Sequence, residues 1–195
     1  LSTTPETTVD LQAQLSRVGA LLEGHFQLSS GRHSDRYVQC AKLLCLPQEA
    51  ETACAALADR LAPLRPDVVV GPALGGIIVA HEVARRLGTP ALFTERKDGV
   101  MTLRRGFAFE PGQRVVVVED VVTTGGSVKE VIALLRGMGV EVLAVGSLVA
   151  RTDQSPFDVP WESLTHINVE SWEPGSCPLC ASGSEAVKPG SRPGA

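Results

Sequence analysis

An unbroken run of four valines at positions 115–118 limits what this chain can fold into more than any other feature of its sequence. β-Branched side chains are stiff and favour extended backbone over helix. A short apolar run without polar alternation is typical of a strand buried on both faces of a parallel sheet. Because helices cover both sides of such a sheet, the run predicts an α/β fold with a doubly wound parallel sheet.

A polar segment with a specific chemistry follows the valine run directly. Glu119 and Asp120 come first, and a loop rich in hydroxyls and glycine, 121–127, then leads into the apolar pattern of a helix at 128–135. Unpaired N–H groups at a helix N-terminus, together with the helix dipole, can hold a phosphate. Two carboxylates beside it suit vicinal sugar hydroxyls or a bound Mg²⁺. The expected ligand is therefore a sugar phosphate.

A simpler interpretation of the same loop competes with this one. Ser127 and Glu130 match the S-x-x-E capping box, and the two glycines could form only a turn between a strand and a helix. Capping does not explain two adjacent acids at the carboxyl end of a buried strand, where open α/β sheets bind ligands. The sequence contains neither the P-loop frame nor the dinucleotide-binding fingerprint at this point. The pattern therefore favours a sugar-phosphate site.

The composition is that of one domain with small-molecule ligands. A chain of 195 residues can form a single domain with a full core and a small subdomain. Its net charge of −4 provides no electrostatic footprint for nucleic acid, and no apolar run approaches the roughly 18 residues of a membrane helix. Five cysteines, an odd number, and the absence of a signal-peptide pattern in residues 1–10 indicate reduced thiols in the cytoplasm.

The segment 115–127 resembles the phosphoribosyl pyrophosphate (PRPP) signature of type I phosphoribosyltransferases. Both consist of an apolar run, two acids, two apolar residues and a hydroxyl-rich glycine loop. The resemblance implies that the acids hold the ribose hydroxyls and the loop holds the 5′-phosphate, with Mg²⁺ as a cofactor held mainly by PRPP rather than by side chains. The expected PRPP-binding residues here are Glu119, Asp120, Val121, Val122, Thr123, Thr124, Gly125, Gly126 and Ser127.

The same order of strand, glycine loop and helix also occurs earlier in the chain, before the valine run. The strand is expected at 67–70, the loop at 71–76 and the helix at 77–87. A plain tight turn is the simpler interpretation of such a loop. Its position nevertheless makes it a candidate cradle for pyrophosphate. The resemblance implies the same role, with Gly75 and Gly76 among the PRPP-binding residues.

A basic segment at 95–106 follows the third predicted strand, 90–94. Its four cations are Arg96, Lys97, Arg104 and Arg105, in a chain that is acidic overall. Most charge runs are solvated surfaces, and a hairpin is the ordinary interpretation. Its position in a chain that resembles this family favours a mobile lid whose cations neutralise departing pyrophosphate. The resemblance identifies Arg96 and Lys97 with the start of the catalytic loop and adds both to the expected PRPP-binding residues. It leaves open which of Lys97, Arg104 and Arg105 is essential.

Another segment, 26–37, resembles the N-terminal hood of orotate phosphoribosyltransferases. It alternates, turns at Ser30 and Gly31, and alternates again, which predicts two short strands. The resemblance implies that Tyr37 and Val38 lie near the base. Arg151, just past a strand predicted at 140–149, could pair in bidentate fashion with the carboxylate of orotate. The expected orotate-binding residues are Thr123, Arg151, Tyr37 and Val38.

The resemblance implies transfer of the phosphoribosyl group from PRPP to orotate in pyrimidine biosynthesis, which yields orotidine 5′-phosphate and pyrophosphate. The expected catalytic residues are Lys97, Arg96 and Asp120. The expected partners are PRPP, orotate and a second copy of the chain, whose basic loop acts in trans; neither nucleic acid nor a membrane is expected. There are two alternatives: a purine or uracil phosphoribosyltransferase, and a regulator that binds PRPP without turnover.

The ends of the chain are expected to complete one domain, 1–195. An amphipathic helix should begin near Val9 and end at Gly24, a last strand is predicted at 164–169, and the hood should comprise about 8–40 and 153–175. Residues 181–195, rich in glycine, proline and serine, are expected to be disordered.

Cys177 and Cys180 form a C-x-x-C pair whose function the sequence does not identify. A zinc site needs four ligands, and Cys40 and Cys45 are a weak second pair. A structural turn is therefore favoured over a zinc or redox site.

Overall fold

The computed structural model of the chain describes residues 9–28 and 30–189, and in this part of the chain it has two sheets flanked by helices. The strands are β1 (Leu21–Gln27), β2 (His33–Val38), β3 (Val68–Pro72), β4 (Ala91–Lys97), β5 (Val100–Leu103), β6 (Arg114–Val122), β7 (Glu141–Ala150), β8 (Trp161–His166) and β9 (Ser171–Trp172). The helices are α1 (Leu11–Arg17), α2 (Ala41–Leu44), α3 (Pro47–Leu61), α4 (Gly75–Leu87), α5 (Gly126–Gly137) and α6 (Pro178–Ala181). No helix in the described ranges is long and apolar enough to cross a membrane.

The larger sheet has six strands in the order β5-β4-β3-β6-β7-β8. Five of them are parallel, and β5 pairs antiparallel with β4 at one edge. The predicted α/β fold with a doubly wound parallel sheet is confirmed. The valines of β6 explain why helices cover both faces of the sheet, because successive side chains of a strand point to opposite faces.

Val116 and Val118 pack into the core beneath α3 and α4, whereas Val115 and Val117 pack into the core beneath α5. All four side chains are fully buried. A continuous apolar run on one strand therefore supplies both hydrophobic layers and fixes β6 in the interior of the sheet.

The N-terminal helix is shorter than predicted. α1 ends at Arg17, and Gly19 follows it in the left-handed conformation, with φ of +65°. The N–H of Ala20 donates to the carbonyl of Leu15, so the chain turns before β1 begins at Leu21. The helical spacing of the apolar residues continued into β1 only by coincidence, and Gly19 ends the helix rather than Gly24.

A three-stranded antiparallel sheet, β1-β2-β9, forms the hood. The predicted hood segment 153–175 belongs only in part to it, because β8 pairs in parallel with β7 in the larger sheet. The predicted last strand, 164–169, starts three residues late. The strand begins earlier because Trp161 contacts β7: its indole N–H donates to Ser147 Oγ at 3.0 Å.

Residues 181–189, in the segment expected to be a disordered tail, make regular contacts. The N–H of Val187 donates to the carbonyl of His25 at 2.8 Å, and the N–H of Gln27 donates to the carbonyl of Val187 at 2.8 Å. The chain after α6 thus runs alongside β1. The remainder of the predicted tail, 190–195, lies outside the described residues, as does Ser29 in the hood motif.

Candidate active site

Three segments meet at the carboxyl edge of the large sheet. The loop 71–76 follows β3, the acidic pair lies at the end of β6, and Arg151 follows β7. The N–H of Arg151 donates to the carbonyl of Val122 at 2.8 Å, which joins the last two of these segments. Ligands of open α/β sheets bind at this edge. The fold therefore brings together the segments that the sequence predicted to bind the ribose phosphate, the pyrophosphate and the base.

The loop after β6 leaves the N-terminus of α5 accessible. Gly125 is the N-cap residue, with φ of +72°, and a Cβ atom there would lie 2.7 Å from the ring of Phe157. Among the described residues, no side chain caps α5, so Ser127 does not have the capping role that its S-x-x-E pattern suggested. Glu130, the other half of that pattern, pairs with Arg96 instead. The first N–H groups of α5 are therefore free to hold a phosphate.

The loop 71–76 lies directly on the acidic pair. A Cβ atom at Gly75 would overlap the carboxylate of Asp120, and one at Gly76 would lie 3.2 Å from Glu119 Oε1. The peptide bond between Ala73 and Leu74 is cis. Only glycine allows the backbone of this loop to approach the carboxylates so closely. Groups bound by the loop and groups bound by the acids must consequently be neighbours.

The electrostatics of the acidic pair favour a ligand that donates hydrogen bonds. Burial, and next the nearby charge of Asp120, raise the pKa of Glu119 well above that of an ordinary glutamate. Backbone N–H groups supply some compensation, since the N–H of Asp120 donates to Glu119 Oε1 at 3.1 Å and that of Val121 donates to Asp120 Oδ1 at 2.8 Å. Cys40 lies behind the pair, and burial, with the two carboxylates, raises the pKa of its thiol. Sugar hydroxyls could donate further hydrogen bonds to the two carboxyl groups and so favour their charged form.

A cleft of about 240 Å³ runs beside the loop 121–127, which is the predicted phosphate loop. It is lined by Arg96, Glu119, Glu130 and the segment 121–128. Arg96 forms a two-point ion pair with Glu130, with N–O distances of 2.7 and 2.8 Å. One of the four predicted cations therefore borders the cleft. The sequence did not identify Glu130 as its partner, because the capping pattern offered a local explanation for that residue.

The other cations of the basic segment lie on the β4–β5 hairpin or just beyond it. Lys97 is exposed at the end of β4 and forms no ion pair with any described residue, whereas Arg104 and Arg105 both pair with Glu95. The hairpin that the sequence suggested as the ordinary interpretation is present, with a turn at Asp98 and Gly99 in which both residues have positive φ. Its role as a lid remains a prediction.

On the base side, the structure brings together Arg151 and Tyr37. Arg151 is half-buried, and its Nε atom is buried without a hydrogen-bond partner among the described residues. Burial lowers the pKa of Arg151, and Tyr37 is close enough to oppose that shift. Tyr37 packs against Phe26 with a ring distance of 5.9 Å. An unpartnered buried guanidinium nitrogen calls for an acceptor, which a carboxylate ligand would provide.

The remaining predicted base contacts differ in exposure. Thr123 is exposed at the start of the phosphate loop, where it can reach a ligand. The side chain of Val38 is only 8% exposed and belongs to the core beneath α3 and α4. The predicted contact of Val38 with the base is thus restricted to its backbone, because its side chain faces the core.

Comparisons with known proteins agree with this geometry. Residues 46–176 match the family model described as the phosphoribosyl transferase domain. The chain is similar to the orotate phosphoribosyltransferase of Caldanaerobacter subterraneus subsp. tengcongensis, at 56% identity over 87% of this chain and 90% of that protein. It is also similar to the orotate phosphoribosyltransferase of Thermotoga maritima, at 52% identity over 91% and 96% of the two chains.

A solved structure shares the fold. The crystal structure of orotate phosphoribosyltransferase from Aeropyrum pernix superimposes with a TM-score of 0.70 and 31% sequence identity. The match covers 80% of this chain and 93% of that chain.

The raised pKa of Glu119 predicts a specific pH dependence of stability. Because the folded state holds the Glu119 proton more tightly than the unfolded chain, its contribution is complete below the ordinary glutamate pKa of about 4.3 and is lost as pH rises through the folded-state pKa. Between about pH 5 and pH 8, the ligand-free protein should lose more free energy of unfolding than its Glu119→Gln variant. Chemical denaturation across this range measures the difference.

The matched control is Glu141→Gln, which removes an exposed carboxylate at the opposite end of the sheet. It should retain the pH profile of the parent protein. Parallel profiles for the parent and Glu119→Gln would contradict the assignment of Glu119 as a buried acid strained by its neighbour.

Proposed function

The chain belongs to the orotate phosphoribosyltransferase family, and we propose how its residues divide the transfer of the phosphoribosyl group from PRPP to orotate. The products of this transfer are orotidine 5′-phosphate and pyrophosphate. The observation that carries the proposal is the meeting of an acidic pair, an uncapped helix N-terminus and a half-buried arginine at one edge of the sheet.

PRPP lies across the two glycine loops in this proposal. Glu119 and Asp120 accept hydrogen bonds from the ribose hydroxyls, and the backbone N–H groups of 123–127 hold the 5′-phosphate. The loop 71–76 holds the pyrophosphate through its own N–H groups. The close packing of Gly75 on Asp120 supports this division, because the ribose and pyrophosphate of PRPP are joined at one carbon.

The site suits Mg²⁺ as the cofactor, bound together with PRPP. In the described part of the chain, neither Glu119 nor Asp120 belongs to a group of three or more side chains that could hold a metal ion. Mg²⁺ typically takes one or two carboxylates, water and substrate phosphates, so two acids beside the pyrophosphate loop fit this ion. When bound, Mg²⁺ would supply positive charge that neutralises the negative charge of the pyrophosphate.

Orotate binds on the hood side of the ribose. The guanidinium of Arg151 pairs with the orotate carboxylate, which provides the acceptor that its buried Nε lacks. Tyr37 lines the same side from β2, and Thr123 contacts the base from the start of the phosphate loop. The arginine thereby selects a base that carries a carboxylate over the neutral purines and uracil.

Catalysis in this proposal stabilises separated charge. Positive charge develops at the sugar carbon and negative charge on the departing pyrophosphate, so the protein must neutralise both. Asp120 supplies negative charge beside the ribose. Arg96 and Lys97 supply positive charge for the pyrophosphate, and the exposed Lys97 is free to move toward it because no described acid pairs with it.

The enzyme is proposed to act as a cytoplasmic homodimer in which the β4–β5 hairpin of one protomer serves the site of its partner. The five cysteines, all in the described part of the chain, form no disulfide bond, which suits a reducing compartment. Lys97 lies at the exposed end of the hairpin, where a neighbouring protomer can be reached.

A base-by-base turnover assay tests the substrate. With Mg²⁺ and PRPP, the purified protein should consume orotate and leave adenine, hypoxanthine and uracil unchanged, as followed by the absorbance of each base. If another base were converted while orotate remained, the substrate assignment would fail.

Replacement of Arg151 separates the orotate site from the PRPP site. Loss of a bidentate charge-assisted pair costs about 1.5–3 kcal/mol, so Arg151→Ala should weaken orotate binding by roughly 10- to 150-fold. Arg151→Lys should recover only part of this loss, because an ammonium cannot form the planar two-point contact. PRPP affinity, measured by calorimetry, should change little.

Arg136→Ala is the control, since Arg136 forms an exposed ion pair with Asp158 at the far end of α5. It should bind both substrates as the parent does. Equal losses of orotate and PRPP affinity in Arg151→Ala would contradict a role confined to the base.

Mixing two inactive variants tests whether the hairpin acts in trans. Lys97→Ala and Asp120→Asn should each lower kcat by about 10²- to 10³-fold, because each removes charge stabilisation in the transition state. In a dimer of the two variants, one site would combine an intact Asp120 with an intact Lys97 from the partner protomer. After co-refolding, roughly a quarter of the parent activity should return. A hairpin that served its own protomer would give no recovery.

A further inference from the structure

Four metal-binding side chains meet in the hood, away from the substrate cleft. His25 on β1 and His33 on β2 face each other, and Cys177 and Cys180 approach from the segment that includes α6. Their ligand atoms all lie within 4.8 Å of one another. His25, His33 and Cys177 are 7%, 8% and 3% exposed, so most of the cluster is enclosed.

The distances within the cluster suit a tetrahedral metal ion. His25 Nε2 lies 3.5 Å from the sulfur of Cys177 and 3.8 Å from that of Cys180. His33 Nδ1 lies 3.3 Å from the Cys180 sulfur and 2.9 Å from His25 Nε2. Zinc bonds of about 2.0–2.1 Å to nitrogen and about 2.3 Å to sulfur place the ligand atoms of a tetrahedral site roughly 3.3–3.8 Å apart. The two ring nitrogens would have to separate slightly, and the widest pair of ligand atoms, which lie within 4.8 Å of each other, would have to move closer.

We propose that His25 Nε2, His33 Nδ1 and the sulfurs of Cys177 and Cys180 form a structural zinc site. Two sulfur and two nitrogen ligands select zinc over the hard cations Mg²⁺ and Ca²⁺, which prefer oxygen. Because the four protein ligands complete a tetrahedron, no position is left for substrate or water. The role of the ion is therefore to hold the hood together rather than to take part in the transfer reaction.

A hydrogen bond outside the cluster orients one of the ligands. His25 Nδ1 lies 3.1 Å from the carbonyl of Ser184, an acceptor, and must carry the proton of the neutral ring. The lone pair of His25 is then on Nε2, which points at His33 and the two sulfurs. A backbone carbonyl that fixes the second ring nitrogen is the usual companion of a zinc-bound histidine.

A redox-active or disulfide-forming C-x-x-C pair explains the cluster less well. Such a pair needs only its two sulfurs, whereas here two buried imidazoles direct ring nitrogens at the sulfurs from another part of the chain. The hood also has a reason to need a metal, because three short strands enclose little apolar volume and small units of this kind often depend on a staple. Zinc would join β1 and β2 to the chain beyond β9.

The site has a consequence for the base pocket. Tyr37 lies on β2, four residues beyond His33 on the same strand. A bound ion would fix the position of this strand relative to the C-terminal segment. Loss of the ion should consequently loosen the orotate side of the site and leave the PRPP loops, which belong to the large sheet, in place.

Metal analysis of the purified protein tests the proposal directly. Protein purified without chelator should contain about one zinc per chain, and a strong chelator should lower its Tm. Co²⁺ in place of zinc should give the intense visible bands of a tetrahedral site together with thiolate charge-transfer absorption. Cys180→Ser and His33→Ala should lose most of the zinc, whereas Cys45→Ser, which removes an exposed thiol outside the cluster, should keep it.

Folding of the variants is verified separately by the increase in Tm that PRPP produces. A Cys180→Ser protein that retains this increase but contains little zinc supports the proposal. The proposal is overturned if the parent protein binds neither zinc nor Co²⁺ stoichiometrically, if Cys180→Ser and His33→Ala retain full zinc, or if mass spectrometry finds Cys177 and Cys180 joined in a disulfide. None of these results depends on which base the enzyme uses.

Discussion

Direct packing of the loop 71–76 against the acidic pair of β6 is the contact on which the rest of the site depends. Gly75 and Gly76 allow the backbone to touch the carboxylates of Asp120 and Glu119, and any side chain at Gly75 would overlap Asp120. The contact also buries Glu119 next to a second acid, an arrangement that is unfavourable without a ligand. The protein thus holds both carboxyl groups in place before the sugar arrives, so little movement of the backbone is needed on binding.

In the proposed function, the two glycine loops bind neighbouring parts of PRPP because they follow neighbouring strands. β3 and β6 pair in parallel, so the loops that follow them emerge side by side at the same edge of the sheet. One loop leads into α4 and the other into α5, on opposite faces, as the two cores beneath the valines of β6 require. The proposed PRPP site therefore lies where the chain leaves the sheet in opposite directions, which is where doubly wound sheets open a crevice.

Features of the fold that depend on local pattern could be predicted, whereas those that depend on distant partners could not. The valine run of β6 and the end of α4 at Leu87 followed from local pattern alone. The end of α1 was misplaced because apolar spacing continued across Gly19 into a strand, and β8 was misplaced because its start is paired with β7. In the site, Glu130 was assigned to a local cap, although Arg96, 34 residues away, is its partner.

The hood shows most clearly why spacing alone is insufficient. The sequence contains no strong second cysteine pair for Cys177 and Cys180, because the groups that face them are histidines about 150 residues earlier in the chain. Hairpin pairing brings His25 and His33 together, and the contacts of Val187 with β1 hold the C-terminal segment close to them. The same hairpin carries Tyr37 toward Arg151. The orotate side of the site therefore depends on contacts between the two ends of the chain, whereas the PRPP side depends on a sheet that is built from its middle.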